Sequence, residues 1–125
     1  MGGSDTIIQE EEPKFKSALE LKKKGLLLIL SGEGFGRTVI IQDSPVTAGR
    51  GRSCSFTVND ALMSKSHFSV SPNGDGYILN DLDSTNSTYL NKKKVKKPSP
   101  LFYGDRIVAG DTVFRFFIEE GTSKK

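Results

Sequence analysis

The sequence predicts an all-β fold, an antiparallel sandwich or barrel, on three observations. From Gly25 onward the apolar runs are short, rich in Val, Ile, Phe and Tyr, and closely spaced between turn sequences. No stretch after Gly25 keeps a long helical period, which argues against a bundle or a strand–helix–strand unit. The final run, Thr112 to Ile118, alternates: Phe114 and Phe116 fall on one face, Val113, Arg115 and Phe117 on the other.

Taken in order, the strands are expected at Gly25–Leu30, Thr38–Gln42, Ser55–Val58, His67–Ser71, Tyr77–Leu82, Arg106–Ala109 and Thr112–Glu119. Gly32-Glu33-Gly34, Asn73-Gly74-Asp75-Gly76, Pro98-Ser99-Pro100 and Gly110-Asp111 read as the turns between them. Asn73-Gly74 is the sharpest, because a tight hairpin wants positive φ at its centre. Residues 1–24 read as a flexible N-terminal tail, with an acidic cluster at Glu10, Glu11 and Glu12. Within it, Lys14–Lys24 fits either a short helix or a basic approach to the first strand, and Met-Gly-Gly-Ser formally matches a myristoylation pattern. The folded unit is expected over residues 25–120, followed by a polar C-terminal tail over 121–125.

Several function classes fall away on composition. The length of 125 residues suits one domain with tails. A single Cys, Cys54, allows no internal disulfide framework, and a single His, His67, leaves no His-paired metal site. The longest apolar run, Leu26–Leu30, is too short to span a bilayer. The formal charge of +3 favours an anionic partner, and it resides after residue 24, since the first 24 residues carry five acidic and five basic side chains. There is no phosphate-loop motif, and Gly32-Glu33-Gly34-Phe35-Gly36 has its third glycine too early for a dinucleotide fingerprint. Ser64, His67 and Asp81 come without a nucleophile elbow or an oxyanion-hole sequence, so no enzyme, cofactor or metal is expected.

One constellation remains. Gly49-Arg50, Ser64-Lys65-Ser66-His67 and Asp81-Leu82-Asp83-Ser84-Thr85-Asn86-Ser87-Thr88-Tyr89-Leu90-Asn91 all fall in loops or at strand ends, where a scaffold can aim side chains at one spot. Arg50 offers a guanidinium fork, Lys65 an ammonium, and Ser64 and Thr85 hydroxyls, a set suited to a tetrahedral dianion. The Asn86 amide both donates and accepts, as recognition of a peptide backbone requires.

At these residues, and at Leu101-Phe-Tyr-Gly104-Asp105-Arg106-Ile107-Val-Ala-Gly110, the sequence resembles the forkhead-associated (FHA) domain family over about residues 25–118. The resemblance implies an FHA-like β-sandwich of about eleven mainly antiparallel strands that binds phosphothreonine peptides through loops at one end. Arg50 and Ser64 resemble the family's phosphate-binding pair, Lys65 and Thr85 occupy positions that add phosphate contacts, and Asn86 resembles the residue that holds the ligand main chain. His67 is similar to the structural histidine that braces the loops, and Gly49 is expected to permit the turn presenting Arg50. Two departures stand out. Ser87 replaces a usual Gly, which matters only if φ is positive there, and Lys65 replaces the commoner Arg, exchanging a fork for a point charge.

The partners implied are a phosphothreonine-containing protein or peptide and an upstream Ser/Thr kinase, in a cytoplasmic setting. A larger multidomain signalling protein is a context the resemblance also suggests. Thr6, about 19 residues before Gly25, reaches up to ~60 Å, so the chain's own phosphorylated tail is a second candidate ligand. The rival reading is a basic nucleic-acid or anionic-lipid surface built on Lys92–Lys97, which lacks interleaved aromatics and also reads as a solvated loop.

Overall fold

The computed structural model of the protein describes residues 23–120. Thr6, the acidic cluster, the myristoylation pattern, residues 121–125 and all of the Lys14–Lys24 segment but Lys23 and Lys24 lie outside the described residues. Eleven strands follow in chain order: β1 (Lys24–Ile29), β2 (Thr38–Ile41), β3 (Val46–Gly49), β4 (Phe56–Thr57), β5 (Phe68–Asn73), β6 (Gly76–Asp81), β7 (Thr88–Leu90), β8 (Lys93–Lys94), β9 (Ser99–Leu101), β10 (Arg106–Ala109) and β11 (Thr112–Glu119). They form a six-stranded sheet ordered β2-β1-β11-β10-β7-β8 and a five-stranded sheet ordered β4-β3-β5-β6-β9. All pairings are antiparallel except β3 with β4, which is parallel through Ala48↔Phe56 and Gly49↔Thr57. Among the described residues no helix is long and apolar enough to cross a membrane.

The core lies between the sheets and follows from strand alternation. β1 buries Leu27 and Ile29, and β11 buries Phe114 and Phe116, while β5 and β6 supply Phe68, Val70, Tyr77 and Leu79 from the facing sheet. Phe68 meets Phe114 edge-on at 5.1 Å between ring centroids, and Tyr77 meets Phe116 at 5.2 Å. Such contacts add ~0.5–1.5 kcal/mol each beyond the area they bury.

Four strands go beyond what periodicity predicts. β3 carries Ala48 and Gly49, which lack strand propensity but let neighbouring backbone approach closely. β7 lies inside the loop expected between Asp81 and Asn91. β9 includes Pro100, which reads as a turn residue; β9 is an edge strand, where a missing N–H leaves no ladder bond unmade. β8 lies inside the lysine run, which is therefore not simply a loop. Leu90 pairs with Lys93 across a two-residue turn whose Asn91 and Lys92 have φ of 49° and 74°, the signs of a type I′ hairpin without its usual glycine. As an exposed edge strand, Lys93 and Lys94 guard against pairing with another chain, which gives the lysines a structural role.

The β5–β6 hairpin is shifted by one residue from expectation. Asn73 pairs with Gly76, so the turn is centred on Gly74-Asp75, and only Gly74 has positive φ, at 60°. That is the pattern of a type II′ turn, which needs glycine at its first central position.

Candidate functional site

Three connections meet at one end of the sandwich: the segment after β3, the β4–β5 loop and the β6–β7 loop. Their side chains rest on a frame of main-chain contacts. The Arg50 N–H donates to the Ser64 carbonyl at 3.1 Å and the Gly51 N–H to the Lys65 carbonyl at 3.0 Å. Gly49 lies so close to this second loop that an added Cβ would meet the Lys65 oxygen at 2.2 Å and the Ser64 oxygen at 2.9 Å. Its φ is not positive, so the reason for glycine here is close approach of two backbones, not the turn geometry expected for it. Gly51 is confined in the same way, with the Lys65 oxygen 2.9 Å from an added Cβ.

His67, fully buried, ties the second loop to the third. Its Nδ1 accepts from the Ser64 backbone N–H at 3.0 Å, and its Nε2 lies 2.8 Å from the Ser87 carbonyl. A ring nitrogen that accepts cannot carry a proton, so the imidazole is the neutral tautomer with hydrogen on Nε2, donating to Ser87. Both ring nitrogens are thereby used on main chain, and neither is aimed at the Ser64 hydroxyl as a base would be. Asp81 likewise serves the loop: its carboxylate accepts from the Ser84 hydroxyl at 2.5 Å, the Thr88 hydroxyl at 2.6 Å and the Ser84 N–H at 3.1 Å.

The five candidate ligand-binding residues line one open cleft of about 370 Å³, together with Ala61, Leu62 and Met63. The Arg50 Nε donates to the Met63 carbonyl at 2.7 Å, which fixes the guanidinium plane and leaves its two terminal nitrogens unengaged by that bond. The Ser64 Oγ accepts from the Thr85 N–H at 3.0 Å and so keeps its own hydrogen for donation. The Asn86 Nδ2 donates to the Leu62 carbonyl at 2.9 Å, leaving Oδ1 and a second N–H. Arg50, Lys65, Thr85 and Asn86 are exposed and Ser64 half-buried, so all five can reach a ligand. The cleft thus gathers two cations, two hydroxyls and an amide.

Asp60 and Asp81 are visible in the sequence as acids in turns, but their framework role is not. Asp60 accepts from the Leu62 and Asp111 backbone N–H groups and the Thr112 hydroxyl, pinning the β4–β5 loop to the β10–β11 turn. The pattern Asp81-x-x-Ser84, a side chain closing a local turn, is the one signal that points to such a role. Burial alone would raise both carboxyls, but the hydrogen bonds they accept outweigh it and hold both below the ordinary carboxylate value. A depressed folded value stabilises the fold above the unfolded value of about 4, and that stabilisation is lost as pH falls through the folded value. Acid unfolding should therefore begin below pH ~4 in urea titrations of the wild type, and Asp81→Asn should flatten that slope. The same change should lower stability at pH 7 by ~2 kcal/mol, because a single neutral amide oxygen cannot replace the two carboxylate oxygens that accept from Ser84 and Thr88.

Ser87 has φ of 67°, so the backbone at this position does adopt the left-handed region. A side chain there carries ~1 kcal/mol of strain. Ser87→Gly should raise unfolding stability by ~1 kcal/mol in a urea series. The His67 bond should survive, since it uses the Ser87 carbonyl.

An FHA domain family model matches residues 46–110, which include all five cleft residues and the three segments that carry them. The chain belongs to the FHA domain family. FHA relatives among curated proteins include FhaB of Mycolicibacterium smegmatis, an FHA domain-containing protein 31% identical over 87 residues. That match covers 70% of this chain and 56% of FhaB, so the chain spans about half the length of that relative. The oxoglutarate dehydrogenase inhibitor of Corynebacterium jeikeium is 30% identical over 99 residues, covering 79% of this chain and 67% of that protein. Among solved structures, an FHA domain studied for its phosphothreonine-dependent interactions superposes with a TM-score of 0.69 at 29% identity, covering 75% of this chain and 95% of that one. The FHA fold of this chain is the two-sheet β-sandwich described above.

Proposed function

We propose that the cleft binds phosphothreonine in a protein or peptide, as a recognition module and not an enzyme. The observation that carries the reading is the convergence of Arg50, Ser64, Lys65, Thr85 and Asn86 on one cleft with donors left over. A phosphate of about −1.5 to −2 charge takes up charge-assisted bonds from Arg50 and Lys65 and hydroxyl bonds from Ser64 and Thr85. Asn86, anchored at Nδ2, presents Oδ1 and its second N–H to an extended ligand backbone. The study of phosphothreonine-dependent interactions by a similar FHA domain supports the assignment.

The experiment is a titration of the ¹⁵N-labelled chain with degenerate phosphothreonine, phosphoserine and unphosphorylated peptide pools. Amide shifts at Arg50, Ser64 and Asn86 for phosphothreonine alone are expected; equal response to all three pools, or none, overturns the reading. In the same assay, replacing Lys93, Lys94 and Lys96 by Ser should leave the phosphopeptide affinity within ~3-fold of wild type, since exposed charges at that edge act by screened attraction only.

The ligand is a phosphorylated partner, supplied by a Ser/Thr kinase, or the chain's own tail phosphorylated at Thr6. Support for the second source is reach. Lys24 starts β1 at the end remote from the cleft, a strand length of ~20 Å. The segment from Thr6 to Lys23 extends up to ~60 Å. Phosphorylation of Thr6 should then weaken binding of an added phosphopeptide, with cleft shifts that do not depend on protein concentration and vanish in Arg50→Ala.

A further inference from the structure

The outer face of the six-stranded sheet is unusually apolar for a face with no layer upon it among the described residues. The register sets Ile40, Leu26 and Phe117 side by side across β2, β1 and β11. Tyr103 packs edge-on against Phe117 at 5.5 Å, and the strip is open, with Ile40 50% and Tyr103 66% exposed. The next row across the sheet places Arg115 directly opposite Arg106. Like charges opposed across a ladder repel each other, and an anion above them removes the penalty. The Arg115 guanidinium lies 5.6 Å from the Phe117 ring, so the cations and the apolar strip form one surface. Such a surface fits an occupant with apolar and acidic residues in immediate succession.

The chain contains such a segment: Ile7-Ile8-Gln9 followed by Glu10-Glu11-Glu12. It precedes β1, the second strand of this sheet from its β2 edge, and Lys24 and Gly25 pair with Glu119 and Ile41 at the end where the apolar strip lies. The segment from Glu12 to Lys23 spans up to ~35 Å, against ~10 Å from β1 to the strand carrying Arg106. A tether of this length supplies a millimolar effective concentration, so a modest contact suffices.

We propose that Ile7–Glu12 docks on the outer face of the six-stranded sheet, with Ile7 and Ile8 on the Ile40–Leu26–Phe117–Tyr103 strip and Glu10–Glu12 over Arg106 and Arg115. The assignment does not rest on the phosphopeptide reading, since it concerns the unphosphorylated chain and a surface away from the cleft.

The test uses the full chain carrying Cys54→Ser and Ser4→Cys, with a nitroxide on the new thiol and ¹⁵N detection. Amides of Ile40, Tyr103, Arg106 and Phe117 should lose intensity, while those of Ser69, Ser71 and Ile78 on the other sheet keep theirs. Broadening spread evenly over both sheets, or concentrated at Arg50, overturns the proposal. Replacing Glu10, Glu11 and Glu12 by Gln should restore the Arg106 signal; an unchanged loss refutes the ionic pairing. A mixture of nitroxide-bearing ¹⁴N chain with label-free ¹⁵N chain should show no broadening, and a loss of signal there assigns the face to a second copy and sinks the proposal.

Discussion

Arg50→Ala should weaken binding of a phosphothreonine peptide about 100-fold while leaving the unfolding midpoint nearly unchanged. The guanidinium stands over the cleft with its plane fixed by the Nε bond to the Met63 carbonyl, and its side chain is exposed. It therefore contributes little to the core and much to an arriving dianion. Charge-assisted hydrogen bonds contribute ~1.5–3 kcal/mol each, and a loss of ~3 kcal/mol is ~100-fold in affinity. Arg50→Lys keeps the charge but not the fork or the Met63 anchor, and should fall between, at ~10-fold. Calorimetric titration of the three proteins with one peptide checks the order. Equal affinities for the wild type and Arg50→Ala would remove the cleft from consideration as the phosphate site.

Gly49→Ala should have the largest effect on stability of any single-methyl change in the binding loops, about 3 kcal/mol or more. The added carbon would sit 2.2 Å from the Lys65 oxygen and 2.8 Å from the Lys65 carbonyl carbon, both main-chain atoms that no rotamer change can move aside. Relief requires the strand and the loop to part, which also breaks the Arg50-to-Ser64 and Gly51-to-Lys65 bonds. The entropy gained by restricting the unfolded chain, ~0.4–1 kcal/mol, is too small to offset this. Gly51→Ala should cost less, since its nearest contact is 2.9 Å. Urea midpoints and the peptide affinity of each variant measure both consequences, because moving Ser64 also moves a proposed phosphate donor.

Much of this is legible in the sequence because the relevant physics is local. β10 and β11 stand out by alternation, with Ile107, Phe114 and Phe116 buried as period two requires. The cleft residues stand out because their chemistry is distinctive and they fall at strand ends. Less legible is whatever depends on distant partners. Nothing local marks Gly49 as a contact with the backbone at Lys65, far along the chain, and a turn's role is the reading its neighbourhood suggests instead. The sign of φ at Ser87 depends on the whole β6–β7 connection, held by Asp81 at one side and His67 at the other. β8 is masked by its lysines, whose polarity reflects an edge position that only the finished sheet defines.

The frame that joins the three loops is built largely from carbonyls and N–H groups, with Gly49, Gly51 and the buried His67 as fixed points. Side chains on the outer rim, such as Leu62, half-exposed at 49%, and Asp83, take no part in it beyond their main chain. In the proposed reading, the grip on phosphate and the choice of partner are thus carried by different atoms. In that reading the Leu62 side chain can be exchanged for others of any charge or size while the anion cradle keeps its shape, whereas Asp83, with φ of 57°, favours Asn or Gly as its replacement. The loop end of this sandwich is in that sense a reprogrammable reader: one fixed letter held by the frame, with the neighbouring letters set by replaceable parts.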